Sequence, residues 1–390
     1  MKLFATFEFS HTHTNFDHLY SISDQGTHVN GPSMLADGTP LLDWLQANPT
    51  SVGQLPEGYA PGDLPFLFKV LSIRTALSIQ AHPNKKRAPI LHAEKPDKYK
   101  DPNHKPEMAI ALTPFEAMCG FRPVSEIQNY MSRYPELGAL VGKDVLSSVS
   151  DSSSADEKKT ALRSMFRNFM DCSDDVAKEQ ISSICNRISS ITPADDDEKF
   201  LLELIPRINT DFPGDRGLFC PFILNCMKLK PGEGFFMGAD EPHAYISGDC
   251  IECMALSDNV IRAALTPKFK DVDELCNSLH YRCGKCEGFL TPKPLDDYTT
   301  LFRPPVDVCS EFEVERAMIP KTTQSYTIPA RPGASILIFL EGTGTMSQDG
   351  TEVIQVGPGS IIFVAADKDT KFSSKETSDV LFYRAHANLG

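Results

Sequence analysis

The chain has 390 residues, 41% of them apolar and 23% charged, and carries a formal net charge of −14. That length exceeds what one hydrophobic core commonly serves, so two or three packed units are expected. The acidic balance argues against nucleic acid and anionic membrane as partners, yet leaves room for a small phosphorylated ligand met by a local cationic cluster.

No apolar run approaches the ~20 residues needed to span a bilayer. The opening, Met1 to Thr14, holds one Lys and a broken apolar stretch, unlike a secretory leader, so a cytoplasmic location is expected. The 11 cysteines are scattered without a secreted-domain framework and read as free thiols in a reducing compartment.

Residues 1–25 show no clean strand or helix period. The pair His11 and His13 is a weak metal candidate and is set aside. A short helix is expected over Leu41–Ala47. Leu64–His82 reads as a long strand whose second half alternates, with Leu71, Ile73, Thr75, Leu77 and Ile79 on a dry face and Arg74, Ser78, Gln80 and His82 on an equipped one. Residues 83–106, rich in Pro, Lys and His, are expected to form a long loop serving a site.

From Pro123 to about Arg207 the spacing turns helical, notably over Val124–Tyr134 and Asp156–Met170. The acidic run Asp195–Glu198 reads as a solvated helix start. After Pro213 the pattern is β to the end. Two stretches look alike there: Lys230-Pro-Gly-Glu-Gly-Phe-Phe-Met and Val356-Gly-Pro-Gly-Ser-Ile-Ile-Phe. Short strands behind Gly/Pro turns predict sandwich or jelly-roll barrels, and the repetition predicts two of them. The first copy leads to Glu241-Pro-His243 and the second to Asp367-Lys-Asp-Thr370. Only the first is equipped to hold a metal through this element.

Gln80 and His82 share a strand face, Glu107 heads an apolar segment, and His243 and Tyr245 form another same-face pair. Two imidazoles, a carboxylate and an amide oxygen suit a borderline divalent metal, zinc first, with a position open to water or substrate. Structural histidines beside turns are the plainer reading of the same spacing. Further on, Glu252, Asp258, Arg262 and Lys268 are embedded in apolar surroundings, where charges are costly unless paired or functional. Lys105, Arg262 and Lys268 together would neutralise a phosphate dianion. Cys283-Gly-Lys-Cys286 has metal or redox spacing but lacks a second pair, and reads as two reduced thiols.

Three strings carry a resemblance. Ser78-Ile-Gln-Ala-His82-Pro-Asn-Lys, Tyr99-Lys-Asp-Pro-Asn-His-Lys-Pro-Glu107, and the run from His243 through Asp258-Asn-Val-Ile-Arg262 to Lys268 resemble the signatures of type I phosphomannose isomerases, from about Gly26 onward. The resemblance implies cupin-type jelly-roll β-barrels, two of them, with an α-helical domain inserted: a mainly β fold. It implies one zinc ion per chain on Gln80, His82, Glu107 and His243, and a catalytic Arg262. Lys105, Tyr245, Glu252, Asp258 and Lys268 would line the pocket, and Ser78 would lie near the substrate phosphate.

The implied reaction interconverts mannose 6-phosphate and fructose 6-phosphate through an enediol, with Glu252 or Asp258 as proton carrier. It would supply mannose precursors for GDP-mannose and glycosylation. The expected divisions are 1–25 (atypical), 26–122 and 213–295 (catalytic barrel), 123–212 (helical) and 296–390 (C-terminal barrel), in a chain favoured as a monomer. Two competing readings are a non-catalytic sugar-phosphate binder and a non-haem iron cupin oxygenase, whose ligand set overlaps. The sequence departs from the family where Ala264 replaces a glycine, and at the start, which lacks the family's Tyr-Ala-Trp-Gly stretch. Residues 1–25 are therefore expected to form at most an improvised strand.

Overall fold

The computed structural model describes residues 4–6, 19–24, 26–27, 33–348, 353–375 and 378–390; His11, His13 and His18 lie outside them. Strands gather into sheets of ten, seven and four.

The ten-stranded sheet is organised by one long strand, His243–Ala255. Its first half pairs with Gln80 on one edge and with Ala117–Cys119 on the other. Its second half pairs with Phe66–Ile73 and Glu107–Ala111. Between the halves stands Gly248 at φ 105°. A Cβ there would meet the Pro114 carbonyl oxygen at 2.4 Å, so only glycine lets the strand turn and serve two sets of neighbours. The curled sheet encloses Leu71, Ala109, Phe115, Phe235, Met237 and Tyr245.

The C-terminal sheets form the second barrel. The central strands of the seven-stranded sheet, Ser335–Glu341, Ile361–Val364 and Val380–His386, are buried on both faces along most of their length and are correspondingly rich in apolar residues. From Val380–His386, Val380 and Phe382 face a core shared with the four-stranded sheet, together with Leu337, Phe339 and Phe372. Leu381, Tyr383 and Ala385 face the other way, onto Phe66, Met108 and Ile251 of the first barrel. This shared core fixes one barrel against the other. The two Gly/Pro repeats become the strands Gly234–Met237 and Ile361–Val364.

Helices Val124–Arg133, Pro135–Val141, Ala155–Asp171, Asp174–Arg187 and Asp196–Asp211 form the insertion. Ser154 and Glu157 make a capping box, and Ser173 and Asp195 accept from Val176 and Glu198 backbone N–H groups, satisfying orphan donors at each start. The acidic run is not wholly solvated. Glu198 is buried and accepts hydrogen bonds from Tyr134 and Arg133.

Four expectations change. The stretch Leu64–His82 is two strands, Phe66–Ile73 and Ile79–Ala81, because the chain bends over residues 74–78 to pass to another part of the sheet. The long loop contains a helix, Arg87–Glu94, started by the Asn84 side chain, which accepts from the Lys86 and Arg87 N–H groups. The β region after Pro213 is interrupted by Arg216–Phe222 and Val272–Ser278, both helical. Residues 1–25 supply two strands. Leu19–Asp24 pairs in full register with Phe66–Ile73, and Phe4–Thr6 extends the C-terminal sheet beside Ile361–Val364. Backbone pairing along an open edge, not side-chain alternation, makes these strands.

Candidate active site

His82 lies just past the strand Ile79–Ala81, Glu107 opens Glu107–Ala111, and His243 opens His243–Ala255. The sheet brings the three together, all buried. His82 Nε2 is 3.3 Å from Glu107 Oε1, and His243 Nε2 is 3.4 Å from Glu107 Oε2. The imidazole rings stand 5.0 Å apart.

Each ring is oriented from behind. His82 Nδ1 lies 2.7 Å from the Asn259 carbonyl oxygen, and His243 Nδ1 lies 2.9 Å from that of Glu241. A carbonyl only accepts, so each Nδ1 carries the proton and each Nε2 presents a lone pair. Among the described residues neither Nε2 has a hydrogen-bond partner. Two lone pairs facing an ionised carboxylate across such distances repel unless a cation sits among them. Tetrahedral zinc with ligands at about 2.0–2.1 Å would place neighbouring ligand atoms about 3.3–3.4 Å apart, as found here. The residues fit the metal.

The charge states agree with this. Burial pushes His82 down to about 4, keeping the ring neutral. Burial alone would raise the Glu107 carboxyl, but with the Lys105 ammonium as the leading opposing charge it is held well below the usual range. Lys105 Nζ is 3.0 Å from Glu107 Oε1.

In front of the ligands opens a cavity of about 180 Å³. Ser78, Gln80, Lys105, Glu107, His243, Tyr245 and Glu252 line it, seven of the residues singled out by sequence. Gln80 stands opposite His243 in the ladder, and its Oε1 accepts from Ser78 Oγ at 3.0 Å. Sequence reasoning missed Lys69, which also lines the cavity and pairs with Glu252 at 2.9 Å. Burial would lower the Lys69 ammonium, but Glu252 outweighs it and raises it, so Lys69 stays a cation. Burial, with Glu252 and Glu107 nearby, raises the Tyr245 phenol well above its usual value, leaving a neutral hydroxyl.

Arg262 stands opposite Gln80 on the neighbouring strand Ile261–Ala264. It lines a second cavity of about 200 Å³ with Lys98, Tyr99, Lys268 and Phe269. Among the described residues its guanidinium has no carboxylate partner. Burial lowers it, opposed only by Tyr99, and the group remains a cation directed at a space. Asp258 is exposed and lines neither cavity.

Asn259, also missed by sequence reasoning, is fully buried. Its side-chain amide donates to the carbonyl oxygens of Asp101 and Asn103 at 2.7 and 2.8 Å, while its own carbonyl fixes His82. One residue thus ties the turn after the long strand to the segment leading into Glu107. Cys283 and Cys286 are free thiols, like the other cysteines.

Comparison with known proteins gives consistent results. Residues 9–124 match the family pattern for the phosphomannose isomerase type I catalytic domain, and residues 137–224 match its helical insertion domain. The first match begins well before Gly26, where the resemblance was expected to start. Mannose-6-phosphate isomerase from Bos taurus is 40% identical over 380 residues, covering 95% of this chain and 89% of its own. The Homo sapiens enzyme is 40% identical over 371 residues, covering 92% and 87%. A crystal structure of the Salmonella typhimurium enzyme bound to fructose 6-phosphate and zinc superposes with TM-score 0.78 at 30% identity, covering 95% of this chain and 91% of that one. A mannose 6-phosphate isomerase structure bound with zinc and yttrium gives 0.79 at 30% identity over the same shares.

Proposed function

The chain belongs to the type I phosphomannose isomerase family, and we infer that it interconverts D-mannose 6-phosphate and D-fructose 6-phosphate with one bound zinc ion. The observation that carries this reading is the pair of buried, unpartnered Nε2 atoms of His82 and His243 converging on the ionised Glu107. His82, Glu107, His243 and Gln80 would hold the metal. When bound it supplies Lewis acidity for the sugar oxygens without redox chemistry.

The chain's own groups do the rest. Aldose–ketose exchange moves a proton between C1 and C2 through an enediol, and so needs a base beside the reacting carbons. Glu252 is the better candidate of the two carboxylates considered, because it lines the metal cavity and Asp258 does not. Lys69, 2.9 Å away, holds the Glu252 carboxylate in place. Tyr245 stays protonated and is placed to donate to a sugar oxygen. Lys105 and Arg262 offer positive charge to the developing oxyanion, from the ligand side and from the neighbouring cavity respectively. Lys268, beside Arg262, and Ser78, beside Gln80, are the groups for the phosphate end.

In this reading 26–122 and 213–295 form the catalytic barrel, 123–212 the helical domain and 296–390 the second barrel. Among the described residues no helix is long and apolar enough to cross a membrane. We place the protein in the cytoplasm as a monomer, supplying mannose units for GDP-mannose and glycosylation. A coupled isomerase assay tests the core of this. Turnover of mannose 6-phosphate should vanish on chelation and return with zinc. Full activity in protein shown metal-free by elemental analysis would refute the metal assignment.

A further inference from the structure

We propose that Glu311, contributed by the C-terminal barrel, is a positioning residue for the metal site, tying together from outside the two segments that deliver His82 and Glu107. The proposal rests on the zinc reading above.

Glu311 lies between the strands Thr299–Phe302 and Glu313–Ile319 and is 1% exposed. Its Oε1 accepts from His104 Nε2 at 2.8 Å and from Lys85 Nζ at 2.9 Å. Those partners are not arbitrary. Lys85 follows His82 by three residues, and His104 precedes Glu107 by three. The two ligand-bearing strands, Ile79–Ala81 and Glu107–Ala111, are not neighbours in the sheet, since His243–Ala255 runs between them. Both ligands also sit at strand ends, where ladder hydrogen bonds stop. The spacing of His82 from Glu107 is therefore not set by direct pairing of their strands.

Glu311 supplies a tie at that point. Burial would raise its carboxyl, but His104 and Lys85 outweigh it and hold it at about 2, so the tie is charge-assisted. Among the described residues its Oε2 is buried without a hydrogen-bond partner, so the carboxylate's polar contacts are made through Oε1. The C-terminal barrel, which holds no ligand of this metal, thereby fixes how far apart two of the ligands stand.

The measurements are zinc affinity, by competition with a chromophoric chelator, and the visible spectrum of the cobalt-substituted protein, which reports ligand geometry. Partners behind metal ligands commonly change affinity 10–100-fold, so Glu311→Ala should raise the zinc Kd about 10-fold or more and shift the cobalt bands. Glu311→Gln, which keeps an acceptor for His104, should recover part of the loss. As a control, Glu315→Gln, in the same barrel but bonded to neither segment, should lower the melting temperature and leave zinc Kd within about twofold. An unchanged Kd and cobalt spectrum in Glu311→Ala, with only a lower melting temperature, would overturn the proposal. Should Glu311→Ala not fold, Glu311→Gln with the exposed Lys85→Ala decides, and unchanged Kd in both overturns it. If the unmodified protein binds no zinc, the metal reading itself fails and this proposal with it, an outcome visible before any substitution is made.

Discussion

The two barrels each bury a carboxylate beside a histidine, and they treat it in opposite ways. In the first, Glu107 faces two imidazole lone pairs with Lys105 alone at one oxygen, and the arrangement is incomplete without a cation. In the second, Glu315 already has its partners, two of them guanidinium cations. Arg331 Nε donates at 2.7 Å, Arg384 Nη1 approaches to 3.6 Å and His386 Nε2 to 3.0 Å. Among the described residues of that barrel, the buried atoms without a hydrogen-bond partner include Arg384 Nε, on a cation already beside the carboxylate, and none is an imidazole nitrogen. A metal site, on this comparison, is a buried charge deliberately left short of partners. Replacing the metal by guanidinium groups turns the same kind of cluster into structure.

The comparison breaks most sharply at His243. His243→Ala should abolish zinc binding and turnover together, while His386→Gln leaves zinc stoichiometry at one per chain; elemental analysis beside the isomerase assay checks both. Glu315→Ala should act on stability alone. Breaking a buried ion pair by removing one member costs about 3–5 kcal/mol, to be read from denaturant melts. Glu315 also sets a pH window. Its carboxyl is held at about 2 in the fold by His386, Arg384 and Arg331 acting against burial. Its contribution is therefore fully present above the ordinary carboxylate range and is lost as pH falls through about 2, so the variant should show a shallower acid-unfolding slope.

Arg262→Ala should keep zinc and lower kcat by about 10²–10³, the usual cost of one positioned charge-stabilising donor. Near-normal turnover would remove Arg262 from the reaction. The smallest effect is expected at Asn259, whose carbonyl would remain but lose its anchor. Asn259→Ala should weaken zinc about 10-fold, measured by chelator competition, with the fold otherwise intact.

Much of this was legible in the sequence where function is written in consecutive residues. Gln80 with His82, His104 to Glu107, and His243 with Tyr245 stand in strings that resemble the family's signatures, although their spacing alone left structural histidines the plainer reading, and the twin Gly/Pro turns pointed to two barrels. What escaped depends on distant partners. Lys69 is one charge in an apolar strand until the sheet sets it opposite Glu252. Asn259 acts largely through a backbone carbonyl, which every residue has. The helix Arg87–Glu94 was hidden by the Pro- and Lys-rich composition around it, although Asn84 was there to start it. The strand Leu19–Asp24 was missed because an edge strand is made by the backbone it meets.

The long strand His243–Ala255 carries the candidate metal ligand His243 and the candidate base Glu252 on either side of the turn at Gly248. The separation between them is thus governed by a single stretch of covalent chain and one bend, not by the docking of separate elements. Warming, or a mutation that loosens the surrounding core, acts on non-covalent packing and leaves that internal ruler almost untouched. The interval between metal and base should therefore outlast much of the rest of the site as the protein approaches its melting point, and ligands brought in on other strands should be the first to lose register.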